Sequence, residues 1–390
     1  MSTSSAAARS AESAPMPRSP REFLRRFGQG EYGSLRVLIT LAVIWIIFGL
    51  AHDRFLSAVN LTNLSLQIAG IGLISVGVVL VLLLGEIDLS VAIVSGLCAA
   101  IMAVLNVKHG WSPVLAVLVA IAAGLAIGTF QGFVHTRFGI PSFVVTLAGL
   151  LGWQGALLWV LGDTGTVNLN AAFIVDLAGT FFDDVVGWII AAALIAVYAA
   201  VALAGRRERL KAGLDALPAG LVVARIVAVA IPVLLTVWIV NQDRGLPLAL
   251  VILVGFVILF DYVTQRTRFG RHVYAVGGNE EAARRAGIRV GRVRVAVFAL
   301  ASMMAACGGI MLASRLLAVN QSSGGSDLLL LSIAGPVIAG TSLFGGRGRV
   351  WSALLGALVI GSISNGMDLL AYSSDTKFMV TGAVLLGAVV

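Results

Sequence analysis

The run GGNEEAARRAGI, at Gly277–Ile288, is a short polar stretch that lies between long apolar segments. Asn279 is a favourable N-cap residue, and the two glutamates after it place negative charge at the positive end of a helix dipole. Each glutamate precedes an arginine by four residues, which is the favourable order for an ion pair on a helix. Gly287 is a helix-stop signal. The run therefore predicts a helix of about two turns that is exposed between two hydrophobic segments.

The alanines of this predicted helix, Ala282, Ala283 and Ala286, are small enough for another protein surface to approach the helix closely. An ordinary solvated helix in a loop has the same composition, so the run by itself leaves both interpretations open. The sequence around the run decides between them.

The composition is that of a membrane protein. Hydrophobic residues make up 59% of the 390 residues and charged residues only 12%, whereas about a quarter of the residues in a soluble domain are charged. Apolar stretches of about 17–23 residues have the length of membrane-spanning helices and exceed that of barrel strands. The sequence predicts an all-α polytopic integral membrane protein with about 10–12 transmembrane helices.

The chain divides into a polar tail and an apolar domain. Residues 1–33 are rich in Ser, Ala, Pro and Arg and are predicted to form a disordered cytoplasmic tail, and residues 34–390 the transmembrane domain. The predicted spans lie at about 35–51, 66–84, 90–105, 113–134, 141–161, 186–204, 221–240, 246–263, 295–313 and 350–363, with a short or broken span at 328–344. A last apolar stretch begins near Phe378, and we expect either an unusually short final span or a natural C-terminus beyond Val390.

The positive charges predict which ends of the spans lie inside the cell. With the N-terminus inside, 20 of the 27 Lys and Arg residues fall on inside segments and 5 on outside segments. An excess of Lys and Arg marks cytoplasmic loops. The sequence therefore predicts a cytoplasmic N-terminus and a cytoplasmic loop at 265–294. Because these loops explain the net charge of +8, binding to nucleic acid is not expected.

Several functional classes lack support in the sequence. Cys98 and Cys307 lie inside apolar spans, and the four histidines are too scattered to form a metal site. No nucleophile–base pair or metal-ligand spacing indicates an enzyme, so no catalytic residue, metal or cofactor is expected. No phosphate-binding run Gly-x-x-x-x-Gly-Lys-Ser/Thr occurs, so any ATPase must be a separate polypeptide.

The run GEIDLS at Gly85–Ser90 interrupts an otherwise apolar stretch. An ionised carboxylate at the middle of the bilayer costs about 2.5–3.5 kcal/mol, so Glu86 and Asp88 cannot both face lipid. They must sit at a polar turn, face a wet cavity or pair with a donor. Two interpretations remain: an architectural turn capped by Asp88 and Ser90, or a role in a transport pathway or gate.

Three runs of the sequence, 85–90, 268–288 and 340–346, carry a resemblance to a known family. The spacing Glu-Ala-Ala-x-x-x-Gly at Glu281–Gly287 resembles the cytoplasmic coupling motif of ABC importer permeases. The run RFGRHVYAVGGN at Arg268–Asn279, together with GEIDLS, is similar to the ribose/xylose-type sugar permeases. The glycine-rich run at Gly340–Gly346 also looks like this family, although Pro336 and Ala339 depart from its pattern. A predicted two-span insertion at about 166–245 makes the plan most similar to the xylose-type permeases.

The resemblance implies a permease subunit of a bacterial ABC monosaccharide importer, most similar to those for D-xylose, in the plasma (inner) membrane. It implies a homodimer surrounded by membrane lipid, a cytoplasmic ATP-binding cassette subunit and a periplasmic or extracellular sugar-binding protein. The implied ATPase-coupling residues are Gly278, Asn279, Glu280, Glu281, Ala282, Ala283 and Gly287. The candidate pathway or gating residues are Gln67, Glu86, Asp88, Ser90, Thr146 and Asn365.

Alternatives remain open at this stage. Polar residues such as Gln67, Thr146, Gln154 and Asn365 could bond sugar hydroxyls or could simply join two helices, and Gly128-x-x-x-Gly132 has the spacing of a helix-packing face. Ribose, arabinose, galactose or a furanose signalling molecule could replace xylose as the substrate. In a secondary transporter driven by an ion gradient, Glu86 and Asp88 would instead be ion ligands.

Overall fold

A computed structural model describes residues 33–389, so residues 1–32 of the predicted tail lie outside the described part. The helices are α1 Gly33–Ala51, α2 Ala58–Leu83, α3 Val91–Ala103, α4 Pro113–Phe138, α5 Ser142–Leu161, α6 Ala172–Gly179, α7 Asp184–Lys211, α8 Ala219–Val240, α9 Leu248–Arg266, α10 Arg268–Gly278, α11 Glu280–Arg285, α12 Val290–Leu316, α13 Ser326–Ile338, α14 Trp351–Leu369 and α15 Ser374–Val389. A π-helical turn, Val104–Lys108, continues α3. The strands are β1 Thr166–Asn168, β2 Phe181–Phe182, β3 Leu246–Pro247 and β4 Ala318–Asn320.

Nine helices in the described part are long and apolar enough to cross a membrane: α2, α3 with its π turn, α4, α5, α7, α8, α9, α12 and α14. Shorter apolar helices occupy Val37–Ala51 and Ser326–Ile338. Within residues 33–389 the strands form only two antiparallel pairs, β1 with β4 and β2 with β3. The predicted all-α polytopic fold is confirmed.

Some spans are longer than the hydrophobic pattern predicts, because polar residues at their ends find partners. Helix α2 begins at Ala58 rather than near 66, since the Ser57 side chain caps it by accepting a hydrogen bond from the backbone N–H of Asn60. Helix α14 continues to Leu369 rather than ending near 363. Its Asn365 side chain is buried and exchanges hydrogen bonds of 2.7 and 3.0 Å with Asn60.

The segment before α11 is also more ordered than its composition predicts. Residues 268–278 are helical rather than part of a loop, and Thr267 caps this helix by accepting a hydrogen bond from the backbone N–H of Gly270. One face of α10 is buried through Val273 and Val276. The polar residues of this segment are typical of a loop. The segment is helical instead, because its apolar face packs against the bundle.

Helix α12 is the central element of the bundle and packs against α2, α3 and α4. Glycines on α4 allow the closest crossing: a Cβ added at Gly132 would lie 2.8 Å from Cα of Val295, and one at Gly128 would overlap the carbonyl oxygen of Phe298. The same type of contact joins α2 to α12, where a Cβ at Gly77 would lie 2.6 Å from the carbonyl oxygen of Ala301. The helix-packing face at Gly128 and Gly132 is confirmed.

The region at 166–245 falls into two parts with different environments. Helix α6 is tied to the core, because the Ser314 hydroxyl accepts from the backbone N–H of Ala178 and donates to the carbonyl of Val175. Helices α7 and α8 pack against each other and expose most of their apolar surface. The peripheral part of this region is therefore the α7–α8 hairpin.

The bundle has two chemically distinct ends. The α11 end comprises segments 84–90, 266–289 and 339–350, which lie together. The ribbon end carries both strand pairs and the Asn60–Asn365 pair. Charged residues of the predicted functional runs lie at the α11 end.

We expect Gly128→Ala to destabilise the protein, because the new Cβ would overlap backbone of α12 that cannot move without separating the helices. Overpacking of this kind costs about 1–3 kcal/mol. The free energy of unfolding, measured by titrating the purified protein from mild detergent into SDS, should fall by this amount. Gly155→Ala on α5 is the matched control, because nothing lies within 4 Å of its added Cβ. Equal losses in the two variants would contradict the packing interpretation.

Candidate functional site

The three runs singled out in the sequence meet at the α11 end. The carbonyl of Leu83, at the end of α2, accepts a hydrogen bond of 3.0 Å from the backbone N–H of Gly346. A Cβ at Gly277 would overlap this same carbonyl oxygen and would lie 2.8 Å from the nitrogen of Gly346. Gly85 has a φ of +76°, and its added Cβ would lie 3.1 Å from the carbonyl of Phe344. The chain therefore brings segments 83–90, 268–288 and 340–346 into direct backbone contact.

Asp88 caps the turn that joins α2 to α3. Its Oδ1 accepts hydrogen bonds from the backbone N–H of Ser90, at 2.8 Å, and from the Ser90 hydroxyl, at 2.7 Å. Burial raises the pKa of the Asp88 carboxyl above its usual range, and the bonds from Ser90 and Val91 oppose this shift only in part. The other oxygen, Oδ2, is buried without a hydrogen-bond partner in the described part. These contacts favour the architectural interpretation of Asp88 and Ser90.

The same turn is bonded to α4 and α5. The Gln131 amide on α4 donates to the Ser90 hydroxyl at 2.9 Å. The Thr146 hydroxyl on α5 accepts from the backbone N–H of Leu89 at 3.1 Å. Both side chains are buried. Thr146, a candidate pathway residue, thus supports the turn backbone.

Glu86 lies in a cluster of charged and polar groups at this turn. Its Oε1 is 2.8 Å from Nη2 of Arg294 and 3.2 Å from Nε2 of His135. Burial by itself raises the pKa of the Glu86 carboxyl, but hydrogen bonds with His135 and Ser142 and the charge of Arg294 outweigh it and hold the pKa below its usual range. Glu86 is therefore an ionised, partnered carboxylate. Because Nδ1 of His135 lies 2.6 Å from the carbonyl of Ile140, both ring nitrogens face oxygen acceptors, and only the cationic ring donates to both.

Arg294 connects this cluster to α11. Its Nη2 donates to Oε2 of Glu280 at 2.8 Å, and its Nη1 donates to Oε1 of Glu280 at 3.2 Å. This two-atom contact fixes the guanidinium plane. Nη2 also reaches Glu86. One side chain on α12 thus bridges the turn after α2 and the first residue of α11.

Helix α11 has the local structure that its sequence predicts. The Asn279 side chain caps it by accepting from the backbone N–H of Ala282 at 2.9 Å. Both ion pairs form, Glu280 with Arg284 at 2.6 Å and Glu281 with Arg285 at 3.0 Å. Gly287, the second residue after the helix, has a φ of +83°, a conformation that favours glycine. The predicted cap, ion pairs and stop are all present.

Fewer residues of α11 and its flanking positions are exposed than the sequence predicts. Gly278, Asn279, Glu281, Ala282 and Gly287 are exposed, as is Ala286. Ala283 instead is only 4% exposed and packs in the hydrophobic core, because it lies on the face of the helix turned to the bundle. Ala283 therefore anchors α11, and Ala282 and Ala286 remain open to a partner.

The candidate pathway residues do not form one site. Glu86, Asp88, Ser90 and Thr146 lie together at the α11 end, whereas Asn365 pairs with Asn60 at the ribbon end. Gln67 is half-buried, its side chain makes no hydrogen bond in the described part, and it lies about 24 Å along α2 from the last residue of that helix. Among the described residues, the Gln154 side chain reaches only the carbonyl of Gln321, at 3.5 Å. Residues 33–389 contain no group of three or more His, Cys, Asp or Glu that could hold a metal ion.

The sequence patterns did not identify His135, Gln131 and Arg294 as residues of the site. Arg294 counted only as one of the positive charges that mark the inside of the membrane. Its place just before the predicted apolar span at 295–313 was the available signal, because a charge at that position needs a partner. No local pattern identifies Glu86 as that partner.

Comparisons with known proteins agree with this organisation. Residues 60–389 match the family described as branched-chain amino acid transport system / permease component. The chain is 37% identical over 360 residues to the xylose transport system permease protein XylH of Escherichia coli (strain K12), covering 91% of each chain. It is 34% identical to XylH of Haemophilus influenzae, covering 90% of this chain and 94% of that protein. It is 30% identical to the ribose import permease protein RbsC of Bacillus subtilis, covering 92% of each. No solved structure matches the chain.

We expect Arg294→Met to destabilise the protein by about 1–3 kcal/mol, because it leaves two carboxylates without their shared, partly buried donor. Arg285→Met is the matched control, since Arg285 and its partner Glu281 have side chains 79% and 63% exposed. An exposed helix pair of this kind contributes only about 0.3–0.5 kcal/mol. SDS titration of the purified variants measures both effects. A similar loss in both would show that the bridge contributes no more than a surface ion pair.

Proposed function

The chain belongs to the family of the branched-chain amino acid transport system / permease component, and on this premise we propose that it is the permease through which a bacterial ABC importer takes up D-xylose. The family and the relatives make it a multi-pass inner-membrane permease of the ribose/xylose type. The choice of xylose rests on one observation: identity is 37% to a xylose permease and 30% to a ribose permease over similar lengths.

We propose that α11 docks on a separate cytoplasmic ATPase subunit. The helix ends are fixed by Asn279 and Gly287, its buried face is anchored by Ala283, and its open face presents Ala282 and Ala286. Small residues let a partner surface approach the helix backbone closely. The exposed acid and arginine pair beside them, Glu281 and Arg285, can orient the partner by charge.

A displacement of α11 would reach the membrane domain through Arg294. Glu280 moves with α11, and the guanidinium of Arg294 ties it to Glu86 in the turn between α2 and α3. Helix α2 is the most buried of the long helices. A change in its position would therefore also displace the helices that pack around it. In this mechanism the charged bridge converts ATP-driven motion of the partner into a change in how the sugar pathway is exposed.

The proposed orientation puts the α11 end in the cytoplasm, as the distribution of Lys and Arg indicates. The ribbon end then faces outward, where a sugar-binding protein would deliver the substrate. Two copies of the chain would form the complete permease, with one ATPase subunit beneath each α11.

An ion-driven transporter is the weaker alternative. An ion-binding carboxylate needs oxygen atoms that are free for the ion. Glu86 is instead held by Arg294 and His135, and within the described part Asp88 offers a single unpaired oxygen, Oδ2, because Ser90 holds the other. The carboxylates at this turn therefore suit a structural junction better than an ion site.

The decisive experiment measures D-xylose uptake into proteoliposomes that contain the permease, its ATPase subunit and its sugar-binding protein. We expect ATP-dependent uptake by the wild type. Ala282→Trp should lower uptake and ATPase copurification about tenfold, which corresponds to a loss of about 1.4 kcal/mol in docking. The stability of the variant should not change, because Ala282 is exposed.

Ala212→Trp is the matched control, since Ala212 is an exposed residue that follows α7, at the same proposed side of the membrane. It should transport like the wild type. Uptake of ribose, arabinose or galactose in preference to xylose would contradict the assignment of xylose as the substrate. It would leave the proposed coupling between α11 and the ATPase subunit unaffected. Uptake that continues without ATP and stops when an ion gradient is collapsed would overturn the importer itself.

A further inference from the structure

Two adjoining cavities lie beside the start of α12, and the first is mainly apolar. This apolar groove, of about 560 Å³, runs between α4 and α12 and is lined by Phe133, Val295, Ala296 and Ala299. Phe133 is 53% exposed, so the groove opens on the outer surface of the bundle. Two cations, Arg137 and Arg292, stand at the α11 end of the groove.

The second cavity is strongly basic. This basic cleft, of about 640 Å³, is lined by Arg284, Arg289, Arg292, Arg294 and His135, together with small and apolar residues, and none of the described residues that line it is an acid. Arg284 and Arg294 are already paired with glutamates. Arg289 and Arg292 are exposed and make no ion pair in the described part of the chain. The cleft therefore holds unneutralised positive charge.

The two cavities are continuous, because both are lined by Thr136, Gly291 and Arg292. Along α12 the groove extends from Arg292 to Ala299, a rise of about 11 Å from the basic cleft into the apolar part of the bundle. A ligand that fills both must carry a negative head and an apolar tail. That is the chemistry of an anionic phospholipid.

We propose that the apolar groove and basic cleft together bind an anionic phospholipid of the cytoplasmic leaflet. The leaflet follows from the orientation proposed above, in which the α11 end is cytoplasmic. Basic pockets between transmembrane helices at this side bind phosphate headgroups, and their affinity comes from clustered Lys and Arg. An acidic protein surface could match the cleft, but it would leave the membrane-facing apolar groove unfilled.

The site touches the coupling machinery through Arg284 and Arg294, which both line the basic cleft. Arg284 lines the basic cleft and belongs to α11. A phosphate held between Arg284 and Arg292 would tie α11 to the beginning of α12. Bound lipid would thus hold α11 against the membrane domain beside the Arg294 bridge.

Native mass spectrometry of the purified full chain tests the proposal with phosphatidylglycerol and phosphatidylethanolamine that carry the same acyl chains. The wild type should retain phosphatidylglycerol in preference to phosphatidylethanolamine. Arg292→Gln should lower this retention about fivefold, the effect of one cation near an anionic headgroup. Ala296→Phe, which fills the groove and changes no charge, should lower it as well.

Arg225→Gln is the matched control, because it removes one exposed cation near the beginning of α8, at the proposed cytoplasmic side, and Arg225 lines neither cavity. Arg289→Gln serves as a second variant if Arg292→Gln fails to fold. Equal losses in Arg225→Gln and Arg292→Gln, or no preference for phosphatidylglycerol, would overturn the proposal. So would displacement of the lipid by inorganic phosphate with Ala296→Phe unaffected, which would indicate a site for the headgroup anion alone. A loss of ATPase copurification in Arg292→Gln with lipid retention unchanged would identify the cleft as a protein contact instead.

Discussion

The close crossing of α12 with α4 is the constraint on which the rest of the structure depends. Gly128 and Gly132 remove the side chains that would separate the two helices, so Phe298 and Val295 pack directly against the α4 backbone. Because of helical periodicity, residues one turn beyond the crossing lie on the same face of each helix. Arg294 is one turn before Phe298, and His135 is about one turn after Gly132, so both continue the contact face toward the α11 end. The ring of His135 lies 5.9 Å from that of Phe298. The cluster around Glu86 is thus the polar continuation of an apolar helix crossing.

The charged groups at this junction contribute geometry more than stability. Removing ions from water is costly, and a partly buried ion pair often does no more than recover that cost. Its directional hydrogen bonds nevertheless restrict how the joined elements can be placed. Arg294 satisfies two carboxylates from different segments at once, and Asp88 orders its own turn through Ser90. A junction of this kind has few alternative arrangements, which suits a connection that must transmit a displacement.

Local sequence patterns predicted the parts of the site that are locally determined. The cap at Asn279, the ion pairs of α11 and the glycine spacing on α4 all depend on residues within a few turns of each other. The convergence of segments 83–90, 268–288 and 340–346 depends on packing between elements far apart in the sequence, and no pattern indicated it. The same limit explains the helix ends: α14 extends past its apolar run because Asn365 finds Asn60, a partner visible only in three dimensions. The narrower exposed face of α11 likewise depends on which side of the helix the bundle covers.

The two ends of the bundle are held by different kinds of bond. At the ribbon end, β1 pairs with β4, β2 pairs with β3, and Asn60 and Asn365 bond in both directions, so chain segments distant in sequence are clasped by backbone and amide hydrogen bonds. At the α11 end the segments also meet through backbone contacts, but α11 itself is joined to the turn between α2 and α3 through the charged side chains of Glu280, Arg294 and Glu86. The ribbon end is thus fixed by neutral hydrogen bonds between several segments, and the link from α11 to the turn after α2 runs through the guanidinium of Arg294. Loss of the Arg294 guanidinium would therefore break the ionic link between α11 and this turn and leave the hydrogen bonds of the ribbon end in place.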